Sequence, residues 1–215
     1  MQHPAHQKII FIISVLFFFT SFADAQNNIF LNETYLGISG GSTASMVYFK
    51  PQVAQDYITA YQGGLIFRYI SEKSLGLQTE IIYTQRGWSE TDNSYVKRLD
   101  YLEVPFLTHV YFGDKARFFF NIGPKIGYLL KETVIQNSNT GTSKKQHQAI
   151  QNKFDYGLAL GLGGMVKIKK QTLQLEARGN FSASNLFPND NKDYFDNSNL
   201  IYASVTLGWL IQVSR

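Results

Sequence analysis

Apolar side chains recur at every second position over long stretches of the chain. Leu102, Val104, Phe106, Thr108, Val110 and Phe112 make one series, and Phe118, Phe120, Ile122, Pro124, Ile126 and Tyr128 a second. The beat returns in Tyr156, Leu158, Leu160, Leu162, Val166 and Ile168, in Leu173, Leu175, Ala177 and Phe181, and in Ile201, Ala203, Val205, Leu207, Trp209, Ile211 and Val213. A period of two places successive side chains on opposite faces of a strand. Weaker alternation over residues 34–42, 60–70 and 75–88 brings the expected total to about eight strands of roughly 9–16 residues, longer than the usual 5–6. Tilted strands of about 9–11 residues are long enough to cross a bilayer.

Volume decides which face points inward. The apolar face carries about five bulky side chains per strand, more than the interior of an eight-stranded barrel can hold. The opposite face is small or polar, with Gly37, Gly64, Gly123, Gly127, Gly157, Ala159, Gly161, Gly163 and Gly208 among its members. The bulky face therefore points outward, and the expected fold is an all-β, eight-stranded, antiparallel up-and-down transmembrane β-barrel. Connections are expected to be short near Ser71–Ser74, Asp114–Ala116 and Lys169–Gln171. They are expected to be long and polar over residues 43–58, 89–98, 131–152 and 185–198, with the third of these mobile at the cell surface. Short turns on one side and long loops on the other place both termini in the periplasm of a Gram-negative envelope. Tyr83, Tyr128 and Tyr156 toward the long loops, with Phe112, Phe118 and Trp209 toward the short turns, are the expected aromatic girdles.

Residues 1–25 read as an export address. Lys8 precedes an apolar run from Ile9 to Phe19 broken only by Ser14, and Ala23-Asp24-Ala25 fits a small-x-small cleavage site. The run of about 11 residues is too short for a membrane helix, which needs about 20. The expected organisation is a cleaved signal peptide over residues 1–25 and an outer-membrane barrel domain over residues 26–215. Composition agrees with an exported membrane protein: only 17% of the 215 residues are charged, 30 are Tyr or Phe, and there is no cysteine. Disulfides, thiol chemistry and cysteine-ligated zinc are excluded. A net charge of +4, scattered along the chain, gives no footprint for nucleic acid.

Two segments carry a family resemblance. Tyr101-Leu102-Glu103-Val104-Pro105-Phe106-Leu107, followed by Gly123-Pro124-Lys125-Ile126-Gly127-Tyr128-Leu129-Leu130, resembles the PorT-like outer-membrane β-barrel family. The run Gly76-Leu77-Gln78-Thr79-Glu80-Ile81-Ile82-Tyr83-Thr84-Gln85-Arg86-Gly87 is similar to that family's preceding strand, and Asp155-Tyr156-Gly157 with Gly161-Leu162-Gly163 to its sixth. The resemblance implies an eight-stranded outer-membrane barrel and, for one type of member, service to a secretion apparatus. The ending Val213-Ser214-Arg215 departs from the aromatic residue on which many such barrels finish.

The candidate chemistry lies inside the barrel. Arg68, Glu80, Glu103, Lys125, Asp155, Glu176 and Arg178 fall on the inward face and are expected to form a lumen charge network, since a buried charge without a partner is costly. Pro105 and Pro124 each delete a ladder donor within a strand, so a bulge or kink is expected at both. His109 and His147 are expected to be ordinary polar residues, with no nucleophile or metal motif around them. Asp190, Asp193 and Asp196 lack calcium-loop spacing. The expected function is that of a structural or binding module in contact with outer-membrane lipids, monomeric, without cofactor or metal, and with envelope proteins as candidate partners. An accessory subunit of a secretion or transport assembly is the alternative, and a lipid-modifying enzyme the second alternative; no enzymatic activity is expected.

Overall fold

A strand whose one side must meet hydrocarbon leaves no room for an unpaired backbone edge, and the sheet resolves this by closing on itself. The computed structural model describes residues 30–91, 95–137, 147–187 and 195–214. The export signal expected over residues 1–25 lies outside them. The strands are β1 (Phe30–Lys50), β2 (Gln55–Asp56), β3 (Ile58–Glu72), β4 (Leu75–Glu90), β5 (Tyr95–Phe112), β6 (Ala116–Asn137), β7 (Phe154–Ile168), β8 (Gln171–Asn185) and β9 (Asn197–Ser214). Eight long strands run β3-β1-β9-β8-β7-β6-β5-β4, and β4 pairs back with β3 to close the ring. The two-residue β2 adds a short flap on the end of β4.

Burial follows the expected parity. Leu65, Leu77, Phe106, Leu160, Leu175 and Val205 are exposed on the outer wall, whereas Arg68, Glu80, Glu103, Lys125 and Glu176 are buried inside. On the outer wall, Tyr83 is level with Leu102, Leu102 with Tyr128, and Tyr128 with Phe154, two residues from Tyr156. Phe112 pairs with Phe118 at the opposite level, where Trp209 donates its Nε1–H to Gln171 at 3.3 Å. Tyr48, Tyr57, Tyr61 and Phe154 are further exposed aromatics toward the long loops. From Phe118 to Tyr128 the ten-residue step on β6, at about 3.3 Å per residue and a tilt of about 35–45°, spans about 23–27 Å, which matches the apolar band of a membrane barrel.

The strands are longer than the alternation indicates, at 15–22 residues. Residues 43–50, 89–90, 95–98 and 131–137, expected in the long loops, are strand. The reason is a reversal of polarity. Beyond the upper aromatics the wall no longer faces hydrocarbon, so the apolar parity turns inward, with Val47, Phe49, Trp88, Tyr95 and Leu99 all buried. A search for a continuous outward stripe stops where this reversal begins.

Of the bulge or kink expected at each proline, the strand register speaks against the bulge. No residue is inserted at Pro105 or Pro124: the β5–β6 register is the same at Pro105↔Lys125 and at Thr108↔Ile122, and β4–β5 keeps its register from Thr79↔Phe106 to Ile82↔Glu103. Rungs are missing between these points. A lost donor interrupts the ladder locally, and the pairs on either side hold the register. The irregularities occur toward strand ends, at Thr34/Tyr35, Ile70/Glu72, Val96/Lys97, Asp100/Tyr101 and Phe181/Asn185. Beside Pro124, Gly123 lets the backbones approach so closely that a Cβ would stand 1.9 Å from the Phe106 carbonyl oxygen.

That approach generates a matched pair of expectations. Gly123→Val is expected to lower stability by more than about 2 kcal/mol through backbone collision, whereas Gly179→Ala, with nothing within 4 Å of the added carbon, is expected to stay within about 0.5 kcal/mol. Urea midpoints of the refolded barrel, followed by heat-modifiable gel mobility, measure both; equal midpoints would refute the close-approach account.

Candidate functional site

The lumen is layered. At the short-turn end Tyr35, Ile66, Ile70, Tyr111, Phe119, Met165 and Leu210 form one apolar cluster. Above it lies a first group of charges. Arg178 on β8 bonds Glu80 through both terminal nitrogens and Glu176 through Nε at 3.0 Å. Gln78 donates to Glu80, and Asn121 donates to Glu176 at 3.0 Å. Among the described residues Arg68 pairs with no carboxylate; it donates to Gln78 at 2.7 Å and to Gln174, and lies over the Phe119 ring at 5.7 Å. His109 is fully buried, its Nδ1 2.7 Å from Asn121 Oδ1.

A second group stands nearer the long loops. Lys125 Nζ lies 3.1 Å from Glu103 and 2.8 Å from Asp155. Arg86 reaches the same two carboxylates at 3.0 Å each, so two cations and two anions form a closed quartet. Ser182 and Ser184 donate to Asp155 at 3.0 and 2.6 Å, and the Tyr202 hydroxyl donates to Glu103. The Arg86 guanidinium lies over the rings of Tyr101 and Tyr202 at 4.1 and 4.6 Å. These aromatic faces add a favourable cation–π contact in a desolvated setting.

All seven residues expected in the lumen are buried there, in two groups rather than one network. Arg86 was missed. With it, Arg68, Arg86, Lys125 and Arg178 face Glu80, Glu103, Asp155 and Glu176, so the middle of the lumen is neutral. Its signal was available: Arg86 shares the parity of Glu80 on the same strand. Tyr101 and Tyr202 were also missed, because a search for outward aromatics passes over those that face inward.

A cap of aromatic and aliphatic side chains closes the long-loop end: Val47, Phe49, Trp88, Tyr95, Leu99, Tyr101, Leu129, Ile150, Leu186, Phe187, Phe195, Leu200 and Tyr202. Phe49 meets Trp88 edge-on at 5.6 Å and Phe195 at 4.8 Å. Residues 147–153 of the third loop cross this end as a strap. Ile150 is buried in the cap and its amide donates to Glu132 at 3.1 Å. Lys97 donates to the Gln148 carbonyl at 2.6 Å and pairs with Glu132 at 2.9 Å. His147 stacks on Tyr95 at 3.7 Å and meets Glu90 at 2.8 Å. Of the third loop expected to be mobile, residues 147–153 are tied to the barrel by side chain and by backbone. Among the described residues no cluster of His, Cys, Asp and Glu could hold a metal. Asp196 pairs with Lys50 at 3.6 Å, and Asp190 and Asp193 lie outside the described residues.

The family model for the outer membrane protein beta-barrel domain matches residues 22–188. The chain belongs to that family. Two solved structures share the barrel's fold. One is the outer membrane protein OprG from Pseudomonas aeruginosa, 12% identical, with 86% of this chain and 98% of that chain covered and a TM-score of 0.53. The other is the Neisserial surface protein A, 10% identical, covering 83% of this chain and 96% of that one with a TM-score of 0.51. No curated protein matches the sequence. This outer-membrane barrel therefore carries its apolar wall in lipid and its ion pairs across the thickness of the membrane.

Two expectations arise from the geometry. Replacing Arg86 by Met leaves Glu103 and Asp155 with a single cation and is expected to cost about 3–5 kcal/mol, as for other buried pairs broken on one side; a urea midpoint unchanged from wild type would contradict the quartet's role. The strap can be read by Ile150→Cys, a unique thiol in a chain without cysteine. Burial raises the pKa of Glu132, but its bonds from Lys97 and the Ile150 amide outweigh that and hold it below the ordinary value. The strap's anchorage is then present above the ordinary carboxylate range and lost as pH falls through the lowered value. Glu132→Gln is expected to speed maleimide labelling of Ile150→Cys about tenfold at neutral pH, the scale of one charge-assisted hydrogen bond.

Proposed function

We propose that this outer-membrane barrel is a sealed, monomeric binding module that conducts nothing at rest and presents its capped, long-loop end to a partner outside the cell or elsewhere in the envelope. In this reading the short turns face the periplasm. The observation that carries it is the double closure of the lumen, by a neutral ion-paired middle and by the aromatic cap. A pore needs a continuous wet path, and eight strands filled by side chains leave none. A platform needs a rigid surface beyond the membrane, which the extended β1, β5 and β6 and the strap over the cap supply.

No catalytic role is proposed. His109 is enclosed against Asn121, and His147 is engaged by Glu90 and Tyr95, so neither is poised beside a hydroxyl nucleophile. The resemblance to the PorT-like family favours a second reading, an accessory subunit of a secretion assembly. The segments that carry that resemblance hold all four members of the quartet, Arg86, Glu103, Lys125 and Asp155, with Tyr101 against Arg86 and Glu80 in the neighbouring group. They speak for interior packing more than for a partner, which makes this reading the weaker.

Planar-bilayer recording of the purified full-length barrel is expected to give no steady conductance steps, and sustained open-channel current would overturn the sealed reading. Crosslinking in intact cells and identification of the captured proteins separates the two roles: reproducible recovery of secretion components would favour the accessory subunit.

A further inference from the structure

The short-turn end carries an unbalanced charge. Lys73, Lys115, Arg117, Lys167, Lys169 and Lys170 gather there against Glu33, Glu72 and Asp114. Some of these cations are engaged within the chain. Lys167 bonds both oxygens of Glu33 at 3.1 and 3.2 Å and the Tyr35 hydroxyl at 2.6 Å. Arg117 lies over Tyr111 at 4.5 Å and donates to the Asp114 carbonyl at 2.7 Å. Lys169 and Lys170, at the tip between β7 and β8, are exposed and form no ion pair with any described residue. Their turn is nonetheless fixed in place: the Gln212 amide donates to the Lys170 carbonyl at 2.7 Å, and the Lys167 amide to the Lys115 carbonyl at 2.9 Å. Lys169 has a left-handed backbone, φ 56°.

Beside that turn lies a recess of about 480 Å³ lined by Glu33, Lys167, Lys169, Lys170, Gln212, Val213 and Ser214. Its surroundings have two characters. The floor is cationic, while Ile168, Ile211 and Val213 are exposed on the wall. Ile168 pairs with Gln171, and Gln171 with Ile211, so Ile168 and Ile211 end the apolar belt at one level, with Val213 two residues further out. Trp209, bonded to Gln171, marks the boundary between hydrocarbon and headgroup layers. The lysines therefore sit at phosphate depth, with apolar side chains directly above.

We propose that the β7–β8 turn is a binding site for an anionic phospholipid of the leaflet it faces, with Lys169 and Lys170 holding the headgroup phosphate and Ile168 and Ile211 receiving the first part of the acyl chains. A lysine close to a membrane surface contributes attraction for anionic lipid that falls away with salt. The apolar wall is what selects a lipid over free phosphate, because an inorganic ion gains nothing from it.

Trp209 is a built-in probe, since it is exposed on the wall at this level while Trp88 is enclosed in the cap. The full-length protein is reconstituted in phosphatidylcholine, and Trp209 quenching is compared for phosphatidylglycerol and phosphatidylcholine brominated near the headgroup. The expected result is a preference for the anionic lipid of about fivefold or more, the scale of one lysine near a charged surface. That preference is expected to fall to about one in the Lys169→Gln/Lys170→Gln variant and in high salt, and to survive in Lys169→Arg/Lys170→Arg. Heat-modifiable mobility confirms that each variant is folded. Equal quenching by the two lipids in wild type, or a preference untouched by the glutamine pair, overturns the proposal. So does its loss to excess inorganic phosphate at matched ionic strength, which would assign the turn to the free ion.

Discussion

A carboxylate enclosed by a ring of strands has no water to solvate it, so Glu103 and Asp155 remain in the lumen because Arg86 and Lys125 stand within hydrogen-bond distance of both. Each cation serves two anions and each anion two cations, so removing any one member strands its neighbours in a low-dielectric interior. Closure of the sheet brings the four together. Glu103 is on β5, Lys125 on β6, Asp155 on β7 and Arg86 on β4, which are four consecutive strands of the ring. The quartet can form only when all of these hairpins are in register, and it ties their register to the charge balance of the interior.

The same chain solves two solvent problems in sequence. Within the belt, lipid outside and side chains inside require greasy residues outward and paired charges inward. Past the upper aromatics, water returns on the outside, and the strands revert to the rule of a soluble protein, with Trp88, Tyr95, Leu99 and Phe49 turned in to form the cap. The transition falls close to Tyr101 and Tyr202, which belong to both regions: their rings join the cap, and they face Arg86 in the quartet. Rigidity at the cap therefore depends on the ion pairs beneath it. Loop residues gain a firm base there, as Ile150, Phe187 and Phe195 do by packing into it.

Much of the architecture was legible from local alternation, because a side chain's face in a strand depends only on whether its position is odd or even. That rule placed Leu160 and Val205 outward and Glu80, Glu176 and Arg178 inward before any pairing was known. It failed where its assumption failed. Residues 43–50 and 131–137 looked like polar loop because the lipid-facing stripe ends there, and the inverted stripe of Val47 and Phe49 is short. Pro105 and Pro124 suggested bulges, since one strand read alone does not show how firmly the pairs on either side hold the register.

Parity along each strand, the charge on each inward position and the height of the apolar belt were determined by the order of residues itself, as they follow from covalent geometry and from the preference of hydrocarbon for hydrocarbon. Partners were a different matter. That Lys125 sits between Glu103 and Asp155, that Arg68 is held by two glutamines instead of an acid, and that residues 147–153 lie across the cap were decided by the closed ring. Its stagger and curvature set which distant side chains share a level, and electrostatic attraction inside a narrow, dry lumen is strong only between groups brought to within a few ångströms of one another.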